Sequence, residues 1–99
     1  MKEITAQELT EKVKAGEKLS IIDVREDEEV AQGKIPGAKH IPLGQIPERF
    51  KEIDKGQDHY MVCRSGGRSG KASSFLIEQG YDVTNVKGGM LDWEDDVEK

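Results

Sequence analysis

The apolar positions of this chain fall into short runs separated by polar stretches that are rich in turn-forming residues. Three runs, 19–24, 59–62 and 81–86, have the length and the boundaries of buried strands. A further extended segment is predicted over 38–42, because the residue before Pro42 disfavours helix. The pattern therefore predicts short strands distributed along the whole chain.

Helical signals occupy most of the intervals between these runs. Thr5 and Glu8 have the spacing of a capping box, and a helix is predicted from there to Gly16. Further helices are predicted over 26–33, 47–53, 70–80 and 90–97. Because helices and strands alternate throughout, we predict an α/β fold in which residues 1–99 form a single domain with a mainly parallel sheet flanked by helices.

The only cysteine lies directly between the 59–62 strand and the 70–80 helix. Ligands of open parallel sheets bind beyond the carboxyl ends of the strands, which is the predicted position of Cys63. We expect the loop N–H groups, the helix dipole and two arginines to direct positive potential at its sulfur. The candidate binding residues after the cysteine are Arg64, Ser65, Gly66, Gly67, Arg68 and Ser69.

Charge and composition limit the classes of function. The chain has 99 residues and a net charge of −5, which disfavours nucleic-acid binding. No apolar run has the length of a membrane span, and the N-terminus lacks the apolar centre of a signal peptide, so we predict no membrane contact and a cytoplasmic location. A single cysteine excludes an internal disulfide and a thiolate-rich metal site. We predict no metal and no cofactor.

A reactive cysteine requires a lowered pKa. An ordinary thiol has a pKa of about 8.5, and about 6.5 or lower is needed for the thiolate to predominate at neutral pH. The difference corresponds to about 2.7 kcal/mol, of which a helix dipole alone supplies ~0.3–1 kcal/mol. We therefore predict that loop amides and arginines together hold Cys63 as a thiolate. The alternative is a buried structural cysteine, which the adjacent glycine pair and arginines disfavour.

The loop contains no good general acid. Ser65 and Ser69 are poor proton donors near neutral pH, His59 is predicted to be a half-exposed strand residue, and His40 is predicted to be structural or solvated. Transfer of a sulfane sulfur from an anionic donor such as thiosulfate to a thiolate needs little proton transfer. The loop would bind the donor oxygens and hold the resulting persulfide.

Three blocks of the sequence resemble the single-domain rhodaneses, which are sulfurtransferases of the thiosulfate type. They are an aspartate and arginine followed by a glycine-to-alanine turn (21–38), the cysteine loop (63–69) and a glycine-glycine-to-tryptophan block (88–93). The resemblance implies a parallel sheet flanked by helices and a thiosulfate sulfurtransferase activity. It identifies Cys63 as nucleophile and persulfide carrier and Arg68 as the arginine that ends the loop.

Loop length separates this resemblance from a phosphatase. The related cell-cycle and tyrosine phosphatases hold five residues between cysteine and arginine, whereas four lie between Cys63 and Arg68. We expect the smaller loop to suit a sulfane sulfur better than a phosphoryl group with its oxygens. A phosphatase or arsenate reductase is therefore disfavoured.

Residues outside the loop receive structural interpretations. Asp23 and Arg25 are expected to form a structural ion pair near the site, with a role in shaping the pocket as the alternative. Trp93 is expected to pack in the core or to form a pocket wall. The acidic runs 27–29 and 94–96 are expected to be solvated helix faces, with binding of a basic partner as the alternative.

Two functional hypotheses follow. In the first, the chain is an enzyme that transfers sulfur from a small anionic donor to cyanide or a thiol. In the second, it is a relay module that a cysteine desulfurase loads and that delivers sulfur to a partner protein. Both require an external acceptor, because the chain has no second cysteine. No surplus of apolar residues suggests more than a monomer.

Overall fold

A five-stranded sheet organises the computed structural model, which describes residues 1–99. The strands are β1 Lys2–Thr5, β2 Ile21–Asp23, β3 Lys39–His40, β4 His59–Val62 and β5 Val83–Lys87. The helices are α1 Ala6–Lys14, α2 Asp27–Ala31, α3 Ile46–Arg49 and α4 Gly67–Glu78. Short 3-10 helices cover Leu43–Gln45, Phe50–Glu52 and Gly89–Asp92.

The strand order is β1-β5-β4-β2-β3, and every neighbouring pair is parallel. The predicted α/β fold with a mainly parallel sheet is therefore confirmed. Because parallel strands end at the same edge, the segments that follow β2, β4 and β5 lie side by side. These segments begin with Val24, Cys63 and Gly88.

Side-chain alternation divides the core between the two faces of the sheet. On β4, Met61 belongs to the buried cluster on the α4 face, whereas Val62 belongs to the cluster on the α1 face. Helix α4 contributes Leu76 to the first cluster, and α1 contributes Leu9 to the second. Helices thus cover both faces, and each fully buried leucine contributes about 1.5–3 kcal/mol.

The structure changes several predicted boundaries. The edge strand β1 was absent from the prediction, because only Ile4 within it is buried and no alternation is visible. Helix α4 begins at Gly67 and not at residue 70, since Gly66 adopts a φ of +111° and turns the chain into the helix three residues earlier.

The predicted helix over 90–97 is wrong. Only a 3-10 helix forms there, and it ends before Trp93, whose backbone is extended and whose indole N–H donates to the Asp96 carbonyl over 3.0 Å. Three consecutive carboxylates at 94–96 would oppose the dipole at a helix C-terminus. Glu98 instead pairs with Lys34, through backbone bonds of 2.8 and 2.9 Å.

None of the helices has both the length and the apolar character that are needed to cross a bilayer.

A buried ion pair fixes the end of β2. Asp23 is 0% exposed, and its carboxylate accepts from Arg25 Nε at 3.0 Å and Nη2 at 2.8 Å. The same Nη2 donates to the Gly33 carbonyl over 2.8 Å, and His40 Nε2 donates to the Arg25 carbonyl over 2.6 Å. The Arg25 side chain and carbonyl therefore tie the end of β2 to the segment after α2 and to β3.

Replacing Asp23 by Ala is expected to lower the free energy of unfolding by about 3–5 kcal/mol, because Arg25 would remain as a buried charge without its partner. Urea unfolding measures this change. Asp58→Ala is the matched control, since Asp58 pairs with Lys2 at the surface over 3.4 Å. We expect the control to lose less than about 1 kcal/mol. Equal losses in the two variants would contradict the structural role of Asp23.

Candidate active site

Cys63 lies at the carboxyl end of β4, where a short loop leads into α4. The loop is tight because Gly66 is the N-cap of α4 and has a φ of +111°, a region in which other residues are strained. The first turn of α4 then begins directly above the strand end. The predicted arrangement of thiol, glycine turn and helix start is therefore present in the structure.

Donors from this turn surround the sulfur. The Gly66 N–H donates to Cys63 Sγ over 3.0 Å, and the Ser69 hydroxyl lies 3.3 Å from Sγ. Burial raises the pKa of the Cys63 thiol. The Ser69 hydroxyl and the N–H groups of Ser69, Gly66 and Ser65 lower that pKa by more, so the net direction is downward. This lowering of the pKa favours the thiolate form, and a thiolate at neutral pH stays a prediction for Cys63.

The two arginines of the loop have different environments. The Arg68 guanidinium donates to both carboxylate oxygens of Glu29, over 2.6 and 2.8 Å. The structure thus adds a carboxylate partner that the prediction did not include, while Arg68 also interacts with Cys63 through its charge. The Arg64 side chain is exposed and forms no ion pair. Arg64 is therefore the cation of the loop that remains available to a ligand.

Glu29 is a site residue that the sequence analysis assigned to a solvated helix face. Its side chain is 28% exposed, and the hydrogen bonds from Arg68 lower the pKa of Glu29 from 4.5 to about 2. Its place along the chain could have identified Glu29 as a site residue. Glu29 lies in α2, the helix that follows β2, and β2 is the sheet neighbour of β4.

A cavity of about 250 Å³ opens beside the loop. Its walls combine arginine and carboxamide or carboxylate groups with two apolar side chains, and they consist of Arg25, Glu29, Gln32, Arg64, Met90 and Leu91. Cys63 does not line this cavity and is only 1% exposed. The sulfur therefore lies beneath the loop, and the cavity is next to it.

The segment after β5 supports the loop through its backbone. Met90 N–H donates to the Cys63 carbonyl and Leu91 N–H to the Arg64 carbonyl, both over 2.9 Å. A Cβ on Gly89 would lie 2.8 Å from the Arg64 carbonyl carbon and closer still to the Cys63 oxygen. Only glycine permits this approach of the two backbones. Sequence reasoning used the 88–93 block only as part of the resemblance and assigned it no contact with the cysteine loop.

The two histidines lie away from the sulfur. His59 is at the start of β4, at the end of the strand opposite Cys63, and is 2% exposed. The prediction that it is half-exposed is wrong, because its ring bridges Ser20 Oγ at 2.6 Å and the Asp54 carbonyl. His40 is part-buried at the end of β3 and donates to the Arg25 carbonyl. Neither ring contacts the cysteine loop.

Comparison with known proteins identifies this arrangement. Residues 5–96 match the family model described as the rhodanese-like domain. The chain belongs to the rhodanese-like domain family. The resemblance inferred from the three sequence blocks is thereby confirmed, and so is the expected fold.

Similar proteins extend this result. The chain is 51% identical over 94 residues to the Bacillus subtilis protein named "Putative sulfurtransferase YtwF", covering 95% of this chain and 91% of that protein. It is 40% identical over 92 residues to a sulfurtransferase of Allochromatium vinosum, covering 92% and 86% of the two chains. The crystal structure of a rhodanese-like domain protein from Staphylococcus aureus superposes with a TM-score of 0.93 at 43% identity, covering 99% and 97%. These relatives support sulfur transfer as the activity of this rhodanese-like domain.

Glu29 is expected to make stability depend on pH in the acid range. Its pKa is about 2 in the folded chain and starts from an ordinary value of 4.5 in the unfolded chain, so the pair stabilises the fold above pH 4.5. This contribution is lost as the pH falls from 4.5 towards 2. We therefore expect the difference in unfolding free energy between the wild type and Glu29→Gln to shrink over this range, as measured by urea unfolding at each pH.

A double-mutant cycle with Arg68→Gln controls this prediction, because the same pH dependence should disappear when the partner is removed. A difference between wild type and Glu29→Gln that stays constant from pH 5 to pH 2 would show that the ion pair contributes nothing to stability.

Proposed function

We propose that this rhodanese-like chain is a thiosulfate sulfurtransferase that carries sulfur as a Cys63 persulfide to cyanide or a thiol. The observation that carries the proposal is the donor set around Cys63 Sγ, in which the Gly66 N–H and the Ser69 hydroxyl lie 3.0 and 3.3 Å away. These donors favour an anionic sulfur. No histidine or carboxylic acid contacts that sulfur, so the reaction that suits the site needs no proton transfer.

In the first half-reaction, the Cys63 thiolate attacks the outer, sulfane sulfur of thiosulfate. A new S–S bond forms on Sγ while the bond to the sulfonate group breaks. Sulfite leaves with the electron pair of that bond, and no proton moves. The protein groups that hold the resulting persulfide anion are the N–H groups of the Ser65–Ser69 turn, which form an electropositive cradle.

In the second half-reaction, an acceptor nucleophile attacks the outer sulfur of the persulfide. With cyanide as the acceptor, a C–S bond forms, the S–S bond breaks and thiocyanate is released. The electron pair returns to Cys63 as a thiolate, so the enzyme is regenerated. A leaving thiol of lower pKa departs faster, and the hydrogen bonds that lower the pKa of Cys63 therefore assist this step as well.

Access to the sulfur requires the loop to yield, because Cys63 is 1% exposed. The adjacent cavity of about 250 Å³ can hold a small anion, and Arg64 in its wall has no carboxylate partner. Arg25 and Arg68 also contribute to this region, but Asp23 and Glu29 neutralise them. We infer that an anionic donor enters through this cavity and is attracted mainly by Arg64.

Incubation with thiosulfate is expected to add one sulfur atom to the intact protein, and cyanide is expected to remove it as thiocyanate. Intact-mass spectrometry measures both steps. The Cys63→Ala variant should gain no sulfur and should retain the thermal unfolding profile of the wild type, since only the thiol is removed.

The two outcomes of this experiment separate the functional hypotheses. Sulfur that is gained from a cysteine desulfurase but not from thiosulfate would contradict the proposed donor and point to a persulfide relay. Sulfur that is gained equally by Cys63→Ala would contradict the mechanism itself.

Replacing Arg64 by Gln is expected to raise the KM for thiosulfate by about 2–5-fold, because an exposed unpaired charge contributes ~0.3–1 kcal/mol. The matched control is the double variant Glu29→Gln with Arg68→Gln, which removes a cation and an anion together. We expect it to change this KM less than Arg64→Gln does. Steady-state kinetics at low and high salt measure this KM. A larger increase in KM for the double variant than for Arg64→Gln would indicate that Arg68, and not Arg64, binds the donor.

A further inference from the structure

Asn85 is a buried polar residue on a central strand that neither the sequence analysis nor the mechanism above uses. It lies on β5, is 5% exposed, and shares a face of the sheet with Val83, which packs in the same cluster as Cys63. Asparagine is depleted from strands, and a buried amide must satisfy its hydrogen bonds. Its side chain contacts Gly66 and Ser69, which places it behind the cysteine loop.

Two contacts define the orientation of the Asn85 amide. Nδ2 donates to the Gly66 carbonyl over 3.2 Å, and Oδ1 accepts from the Ser69 hydroxyl over 2.6 Å. The Gly66 carbonyl can only accept, so the amide nitrogen has to face it. The amide oxygen must then face Ser69, and Ser69 must donate. The contact to Gly66 thus fixes which atom of Asn85 is available to Ser69.

The Ser69 hydroxyl has one proton and three acceptors within reach. These are Asn85 Oδ1 at 2.6 Å, Cys63 Sγ at 3.3 Å and the Gly66 carbonyl at 3.3 Å. The Gly66 carbonyl already accepts from Gly70 N–H over 3.0 Å. The competition for the proton is therefore between Asn85 and the sulfur.

The charge on the sulfur decides this competition. A neutral thiol sulfur is a weak acceptor, so the Ser69 proton belongs to the shorter contact with Asn85. A thiolate is a charged acceptor, and hydrogen bonds to ionised groups are about twice as strong as those between neutral groups. The proton then turns to Cys63, and the Asn85 oxygen loses its donor.

We propose that Asn85 is a positioning residue that holds the Ser69 proton while the Cys63 sulfur is uncharged and gives it up to the thiolate. Asn85 acts through Ser69 and does not contact the sulfur. The Ser69 proton changes its acceptor when the Cys63 thiol ionises, and this change takes place in the resting protein. Only the extension to turnover rests on the proposed function.

In turnover, the position of this proton alternates. When the thiolate attacks the sulfane sulfur, Sγ becomes an uncharged atom of an S–S bond and the negative charge moves to the outer sulfur. Ser69 then returns to Asn85. When the acceptor removes the outer sulfur, the electron pair of the S–S bond returns to Sγ, and Ser69 donates to the departing thiolate.

Charged groups on the cysteine loop and on the elements next to it are unaffected by a neutral substitution at Asn85. They are Arg64 of the loop, Arg68 of α4 with its partner Glu29 of α2, the Asp23–Arg25 pair after β2, Lys87 at the end of β5 and Asp92 of the 3-10 helix. Because a substitution of Asn85 by a neutral residue changes none of these charges, a change in the Cys63 pKa reports the hydrogen bonds.

The test is the pKa of Cys63, measured from the pH dependence of iodoacetamide alkylation. Asn85→Leu removes the competing oxygen at similar volume and should lower this pKa by about 0.4–1 pH unit, the equivalent of one neutral hydrogen bond. Ser69→Ala should raise it. In the Ser69→Ala background, Asn85→Leu should not change the pKa of Cys63 further. In the Ser69→Thr background, which keeps the hydroxyl, Asn85→Leu should still lower this pKa.

The proposal is overturned if Asn85→Leu raises the pKa of Cys63 or leaves it unchanged, or if its effect persists without the Ser69 hydroxyl.

Should Asn85→Leu fail to fold, NMR of the wild-type Asn85 side-chain amide gives the same information. The amide resonance of polysulfide-loaded protein should match that of the thiol form and differ from that of the thiolate form. Because the persulfide is also anionic, a resonance that matches the thiolate would contradict the proposal. Neither measurement uses thiosulfate, so failure of the proposed donor would leave this inference standing.

Discussion

Solvation of a buried negative charge is the constraint on which this site depends. Cys63 is 1% exposed, so water cannot stabilise a thiolate there, and burial alone would keep the thiol protonated. The protein has to supply the donors itself, and it does so with the first turn of α4. That turn reaches the sulfur only because β4 ends directly beneath it and Gly66 reverses the chain within a few residues. The fold of the sheet and the chemistry of the thiol are therefore coupled at one position.

The same edge of the sheet holds its charges in compensated pairs. Asp23 with Arg25 and Glu29 with Arg68 place two cations near the sulfur, and each is matched by a carboxylate. The Glu29–Arg68 pair fixes the segments after β2 and after β4 relative to one another, and the two pairs together leave little net positive potential. The thiol is consequently tuned by hydrogen bonds at short range, and the unpaired Arg64 is left to act on ligands at longer range. Hydrogen bonds therefore stabilise the thiolate, whereas Arg64 is the group that attracts ligands.

The features that could be predicted from the sequence are those whose interacting residues lie close together along the chain. The strand, the cysteine, the glycine turn and the helix are contiguous, so their arrangement can be derived from local signals. Glu29 reaches the site from α2, the helix after β2, and Asn85 reaches it from β5, and only the strand order shows that β2 and β5 flank β4. The burial of His59 and the loss of the helix after Trp93 likewise involve partners farther along the chain. Ser20 contacts His59, and Lys34 pairs with Glu98. Local propensity carries no information about such contacts.

The contact between the cysteine loop and the 3-10 helix at Gly89–Asp92 bears on the rigidity of the site. Each peptide unit is planar and trans, so its carbonyl and its N–H point in opposite directions. Leu91 holds the Arg64 carbonyl from behind, and the N–H of Ser65 in the same peptide is thereby aimed at the sulfur. A peptide flip at this bond would require that hydrogen bond to break first. The segment after β5 therefore acts as a rear anchor for the anion cradle, although it is remote in sequence and offers the sulfur no side chain.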